Sequence, residues 1–231
     1  MLRWPFARKR GDVAEWRGPE RGRGSRGRVE GLDPQSAYAI WALDYPARPH
    51  NRLMEIEHVS VTALLPEVRG LIVLDAGCGT GRYLRELESR GARAIGMDLS
   101  MPMLARAAAG RVARADIRAL PLGAGSLDLV VCGLALGDIA ELELALAEIA
   151  RTLRPGGRVI YSVVHPAGEA AGWSRSFESA GRRLAIDGHW HSLERHRQAC
   201  EDAGFSIEEW REPDLTELPG QRVVLVVRAR R

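Results

Sequence analysis

The stretch Val73-Leu-Asp-Ala-Gly-Cys-Gly-Thr-Gly-Arg-Tyr-Leu84 joins an apolar run of strand length, Leu71 to Leu74, to a helical pattern from Tyr83 to Arg90. A glycine-rich turn at the carboxyl end of a first strand is where open α/β sheets bind ligands. Gly77, Gly79 and Gly81 free the backbone for unusual dihedrals and close approach to a ligand. Taken alone, such a turn can equally be a tight turn with no ligand.

Outward from this turn, strand and helix patterns alternate. Ala94-Ile-Gly-Met97 reads as a second strand, followed by a helix from about Met101 to Ala109, and Val112-Ala113 as a third strand. Leu127 to Cys132 is a fourth, followed by a helix from Ile139 to Leu153, and Gly157 to Val164 contains a fifth. A helix from His191 to Ala203 ends at Gly204. This alternation predicts parallel βαβ units with helices on both sheet faces. The last two runs, Phe205 to Trp210 and Arg222 to Val227, are linked by a proline-rich segment too short for a crossover helix, so they can pair only antiparallel. The expected fold is α/β: a Rossmann-like open sheet of seven strands, mainly parallel, with an antiparallel C-terminal hairpin.

Before the first strand, Asp33-Pro34 caps a short helix to about Leu43, and a second helix runs from about His50 to Leu65, ending before Pro66. Residues 32–66 are thus a helical cap on a single domain, 32–231. Residues 1–31 read as a disordered Arg/Gly-rich arm, because their composition has too little apolar surface to offset ordering entropy.

Charge divides along the same boundary. The net charge is +3, but residues 1–30 hold nine basic against four acidic groups, leaving the remainder at −2. The body therefore has no overall electrostatic reason to bind nucleic acid. No apolar run approaches the length of a membrane span, and the amino-terminal stretch lacks a secretory apolar core. Three scattered cysteines, Cys78, Cys132 and Cys200, make neither a disulfide framework nor a metal cluster, so a reducing cytoplasm and no metal are expected.

Carboxylates recur at successive strand ends: Asp75 after the first, Asp98 after the second, Asp116 after the third. Each alone can be a cap or a solvated acid. Together they line one sheet edge, which repels an anion and suits a ligand with an ammonium group, a ribose diol and an adenine amine. A dinucleotide fingerprint, G-x-G-x-x-G/A, would need glycine or alanine where Arg82 stands, and its pyrophosphate would be repelled by the neighbouring acid. A P-loop needs Gly-Lys-Ser/Thr, and the single lysine is Lys9.

Val73 to Gly81, Gly96-Met-Asp-Leu-Ser100, Ala115-Asp-Ile-Arg-Ala-Leu-Pro-Leu122, Leu127 to Cys132 and Leu153-Arg-Pro-Gly-Gly-Arg-Val-Ile160 resemble class I S-adenosylmethionine-dependent methyltransferases, in particular the methyltransferase type 11-like group, over about residues 35–230. The resemblance implies S-adenosyl-L-methionine as cofactor. It assigns the methionine moiety to Asp75 and the backbone of Gly77, Cys78, Gly79 and Gly81, and the ribose hydroxyls to Asp98. Leu99 and Met103 would flank adenine, Asp116 would take its amine and the Ile117 backbone its ring nitrogen. Cys132 or its neighbours would flank the transferring methyl, with Cys78 a packing residue and not a nucleophile.

Methyl transfer from a sulfonium is an in-line displacement, so the protein mainly aligns donor and acceptor and excludes water. A base is required only if the acceptor must lose a proton. After the fourth strand the chain reads Cys132-Gly-Leu-Ala-Leu-Gly-Asp138 and lacks the Asn/Asp-Pro-Pro-Tyr/Phe of amino-methylating enzymes. The expected partner is a small-molecule acceptor methylated on oxygen or carbon, under a lid formed by residues 165–191. In that insertion His165 is the candidate base, the alternative being that His165-Pro166 only turns the chain. Trp173, Phe177, Trp190 and His191 are candidate acceptor-pocket residues. Tyr38, Trp41 and Tyr45 can close the site from the cap, Tyr45 on the cofactor and the other two toward the acceptor; simple packing is the alternative. Two other classes remain open: an RNA or protein methyltransferase recruited by the basic arm, and a cofactor-binding module without turnover.

Overall fold

The computed structural model describes residues 30–107, 110–215 and 218–231. The expected arm lies outside these residues up to position 29. Its last two positions do not belong to it: Glu30 and Gly31 lie in strand β1 (Glu30–Leu32).

Asp33 then opens helix α1 (Pro34–Trp41), its carboxylate accepting from the Ser36 N–H at 3.0 Å while proline occupies a position where no amide donor is needed. Asn51 caps α2 (Arg52–Thr62) in the same way, 2.9 Å from the Met54 N–H. The alternation follows as β2 (Ile72–Ala76), α3 (Arg82–Ser89), β3 (Arg93–Asp98), α4 (Met101–Leu104), β4 (Arg111–Arg114), β5 (Leu127–Gly133), α5 (Leu142–Thr152) and β6 (Leu153–Val164). Helix α4 is shorter than its sequence pattern predicts, and positions 108–109 lie outside the described residues. The insertion holds α6 (Ala167–Ala170), β7 (Arg175–Ser179) and β8 (Arg182–Ile186). The chain closes with α7 (Leu193–Asp202), β9 (Ser206–Arg211), β10 (Asp214–Leu215), β11 (Leu218–Arg222) and β12 (Val224–Arg230).

The main sheet has seven strands in the order β4-β3-β2-β5-β6-β12-β9. Strand β12 alone is reversed, antiparallel to β6 on one side and β9 on the other. The chain leaves β2 toward β3 and later returns to β5 on its other side, so the carboxyl ends of β2 and β5 form the switch point where such sheets bind ligands. Alternate side chains of each strand feed two cores. Val130, Cys132, Leu225 and Val227 pack with α5 and α7, whereas Leu129, Val131, Val224 and Val226 pack with α2 and α3. The sheet is therefore covered on both faces, as the near-continuous apolar strands require.

A second, three-stranded sheet, β1-β8-β7, was not foreseen. Strands β7 and β8 pair through Ser179↔Arg182, leaving a two-residue turn of Ala180 and Gly181 with φ of 49° and 72°. Two positive φ values match the twist of an antiparallel hairpin, and glycine supplies one of them without strain. Strand β1 adds in parallel to β8, so the entry to the cap and the insertion share a sheet.

Candidate active site

A cavity of about 360 Å³ opens at the carboxyl ends of β2, β3 and β5, within the range of small-molecule and cofactor sites. Asp75, Gly77, Cys78, Gly79, Asp98, Leu99, Met103, Asp116, Ile117 and Tyr45 all lie on its wall, so most of the expected cofactor set is brought together. The glycine turn is laced to β3: the N–H groups of Gly77 and Cys78 both donate to the Met97 carbonyl, and that of Gly79 to Asp98 Oδ2 at 2.8 Å. Those donors are spent inside the protein, which denies an anion the cradle a pyrophosphate site provides. Gly77 has φ of +71° and its added Cβ would lie 2.4 Å from the Ala135 Cβ; beside Gly79 the space is open. Gly81 belongs to a different task. It stands off the cavity wall and starts α3 in the left-handed region, φ +83°.

The carboxylates differ in state. Asp98 takes one N–H on each oxygen, from Gly79 and Ser100, and retains acceptor capacity for a diol. Burial raises its pKa. Asp75 is buried, accepts from the Leu84 N–H at 2.8 Å, and is pushed up to about 7 by burial. Asp116 is gripped by Arg118, whose hydrogen bonds lower its pKa and which also pairs with Glu141 at 2.5 Å. Cys132 is fully buried in the core beneath α5 and α7 and does not line the cavity; its neighbours Gly133, Leu134 and Ala135 do. Its side chain is taken up by that core, whereas β5 ends at Gly133 and the chain beyond it runs along the cavity edge.

Leu134 carries φ of +60°, a conformation that costs a side-chain-bearing residue free energy and clusters at functional sites. It is held there by its N–H, which donates to the backbone and hydroxyl oxygens of Ser162, both at 3.0 Å. Leu134 borders the large cavity and two smaller ones, of about 220 and 90 Å³, beneath the insertion. Among the described residues no cluster suits a metal ion.

These features meet their relatives here. Residues 74–161 match the family model described as a methyltransferase domain, Methyltransf_11. An S-adenosylmethionine-dependent methyltransferase from Mesorhizobium loti superposes with a TM-score of 0.66 at 31% identity, covering 76% of this chain and 97% of that one. The chain belongs to the class I S-adenosylmethionine-dependent methyltransferases. Among curated relatives, the malonyl-[acyl-carrier protein] O-methyltransferase of Enterobacter lignolyticus is 36% identical over 138 residues, 58% of this chain and 55% of that protein. The enzyme of that name from Dechloromonas aromatica is 35% identical over 172 residues, 70% of this chain and 62% of that protein. The chain spans about half the length of the first of these relatives.

The methyltransferase thus has S-adenosylmethionine as its cofactor, and the cavity passes a direct test of fit. It pairs two acids having spare acceptor capacity, Asp75 and Asp98, with a glycine turn whose N–H groups are unavailable to anions. Such a lining suits a ribose and a cationic tail.

On the acceptor side the expectations divide. Tyr38 and Tyr45 line both the cofactor cavity and the 90 Å³ cavity, and burial pushes the Tyr45 phenol up to about 12. Trp41, Trp173 and Trp190 line the 90 Å³ cavity, with Trp173 and Trp190 reaching the 220 Å³ one as well. Phe177 lines none of the three; it is 2% exposed and packs with Ala37, Leu184 and Ile186. His191 also stays off these walls, its Nε2 2.7 Å from the Ile139 carbonyl and its Nδ1 3.1 Å from Arg195. His189, two residues earlier and stacked against the His191 ring with centroids 5.9 Å apart, lines the cofactor cavity instead.

His165 is corrected as well. It is 3% exposed and off the cavity walls. The Ala167 N–H donates to its Nδ1 at 3.1 Å, which places the ring proton on Nε2 toward Glu212, 3.2 Å away. Both nitrogens hold the turn.

Sequence reasoning missed the groups that depend on distant partners. Arg175 and Asp138 form a half-buried ion pair where the cofactor cavity meets the insertion; burial works against the Arg175 charge and Asp138 restores it. Glu57 on α2 is 0% exposed and accepts from Tyr83, Arg82 and Ser162. Glu57 occupies an unremarkable helical position, and no local pattern announces its partners.

Proposed function

We propose that the enzyme transfers the methyl group of S-adenosylmethionine to a carboxylate oxygen of a small acyl acceptor, forming a methyl ester. The observation that carries this reading is the position of Arg175, a half-buried cation held by Asp138 on the walls of both smaller cavities, which Leu134 joins to the cofactor cavity. A guanidinium there favours an anionic acceptor. The names of the two curated relatives support acyl O-methylation from an independent direction.

The cofactor supplies an activated methyl on a positively charged sulfur. Asp98 takes the ribose diol, Asp75 the ammonium end, and Leu99 and Met103 enclose the adenine, with Asp116 and Ile117 at its edge. Gly133, Leu134 and Ala135 border the transfer position. Tyr38 and Tyr45 close the cavity from the cap, and Trp173 and Trp190 exclude water on the acceptor side. A carboxylate is already ionised at neutral pH and needs no base, which agrees with a His165 committed to its turn.

The test is methyl transfer to a malonyl thioester, supplied both on acyl-carrier protein and as a short soluble thioester, alongside phenols and quinone precursors. Methyl ester formed from the malonyl compounds, with little product from the neutral ring acceptors, is the expected result. Arg175→Met should raise KM for the thioester by about tenfold or more while cofactor affinity stays within about twofold. Turnover confined to neutral ring acceptors, or an Arg175→Met enzyme with unchanged KM, overturns the proposal.

A further inference from the structure

Arg82 is the first residue of α3, immediately after the glycine turn, and its side chain reaches the cofactor cavity with 11% exposure. One face of its head is fixed. Nη1 donates to Glu57 Oε2 at 2.7 Å, and the guanidinium carbon lies 4.2 Å over the Tyr83 ring. Glu57 is itself anchored through Oε1 by the Tyr83 hydroxyl at 2.8 Å and Ser162 Oγ at 2.6 Å. Gly133 makes this arrangement possible at the end of β5, since a Cβ there would fall 2.3 Å from the Tyr83 ring and 3.2 Å from Glu57 Oε1. The guanidinium is thus aimed from a rigid base, with its remaining N–H groups uncommitted to other acceptors among the described residues.

The amino acid tail of the cofactor carries an ammonium group and a carboxylate together. Asp75, Asp98 and Asp138 on the cavity wall suit the first and repel the second. The amides of Gly77, Cys78 and Gly79 are spent on Met97 and Asp98. Arg118, the other guanidinium on this wall, is spent on Asp116 and Glu141 beside Ile117. A carboxylate left in this acidic surrounding without a cation would weaken binding severely.

We infer that Arg82 holds the carboxylate of the cofactor's methionine end, with the Glu57–Tyr83–Ser162 cluster fixing the direction of its head. This is independent of the acceptor's identity. A purely structural role would have Arg82 neutralise Glu57 and contribute nothing that depends on the ligand's carboxylate.

The two roles separate by calorimetry with S-adenosylmethionine and its decarboxylated analogue, which differ by that one group. In Arg82→Gln the preference for S-adenosylmethionine over the analogue should fall by roughly tenfold to hundredfold, the scale of a lost charged hydrogen bond. A folding defect lowers both affinities alike and cancels in the ratio. Arg82→Lys retains a charge for Glu57 but loses the planar fork, and should lose part of the preference. Arg118→Gln should leave the ratio unchanged. An unaltered ratio in both Arg82 variants overturns the inference.

Discussion

Trp41 of the cap stacks face to face on Phe177 of the inserted hairpin, ring centroids 4.8 Å apart and planes within 8°. The pair couples α1, which also presents Tyr38 to the cofactor cavity, to the hairpin that presents Arg175. Strand β1 reinforces this coupling through its register with β8, from Glu30↔Leu184 to Leu32↔Ile186. The cap and the insertion therefore pack as one unit.

Phe177→Ala should cost about 3–5 kcal/mol locally, as expected for truncating a buried aromatic ring. The lid should loosen before the main sheet unfolds. Hydrogen exchange should accelerate at residues 175–186 and in α1, KM for the acceptor should rise, and cofactor affinity should change little. Faster exchange spread evenly over β2, β5 and β6 would contradict a lid that acts as a unit.

Asp98→Ala should weaken S-adenosylmethionine binding at least tenfold, because the side chain lines the cavity, is proposed to take the diol, and holds the Gly79 and Ser100 amides. Calorimetry gives the number directly. Affinity unchanged in this variant would remove Asp98 from the cofactor site.

Asp75 makes cofactor affinity depend on pH. Burial holds its pKa at about 7, and the ionised form attracts the cationic ligand, so ligand binding and proton binding compete. Affinity should fall as pH drops below about 7, approaching tenfold per unit. It should fall again above about 8, where an α-amino group loses its own charge. Asp75→Asn should abolish the acid limb and leave the alkaline one. Persistence of the acid limb in that variant would assign it to another group.

His165→Ala should leave kcat and its pH profile within about threefold of the parent, since the ring faces Glu212 and the Ala167 amide and not the cavity. Stability should drop by about 1–3 kcal/mol as the buried partners lose a hydrogen bond. A loss of turnover beyond tenfold with intact cofactor binding would restore the histidine as a base.

The division between what was and was not legible follows particular residues. Asp75, Asp98 and the glycine turn could be read because each sits one turn or one strand end from the element that positions it. Asp116 and Ile117 followed from the next strand by the same rule. Of Cys132 and its neighbours, the neighbours reach the cavity and Cys132 does not, because its side chain is spent in the core. Phe177, His165 and His191 were chosen for their chemistry within one insertion, and that insertion turned out to be a hairpin. Phe177 points to its core face, and both histidines are used as hydrogen-bonded struts. The hairpin itself left a faint signal, Ala180-Gly181 between the alternating Phe177 and Leu184 segments.

From the sequence alone came the parallel α/β sheet, the reversed last strand and the acids at successive strand ends, while the cofactor followed from the family resemblance those segments carry. The sheet, the reversed strand and the acids are properties of short segments, set by apolar period, capping and the residues a turn requires, so they survive without knowledge of distant contacts. Only the tertiary structure decided that Glu57 meets Ser162 across 105 positions, that β1 joins β8, and that Arg175 meets Asp138 at the edge of the cofactor cavity. Those pairings involve residues whose local environments are ordinary. Their meaning comes from burial and from the partner's charge, which exist only after the chain has closed on itself.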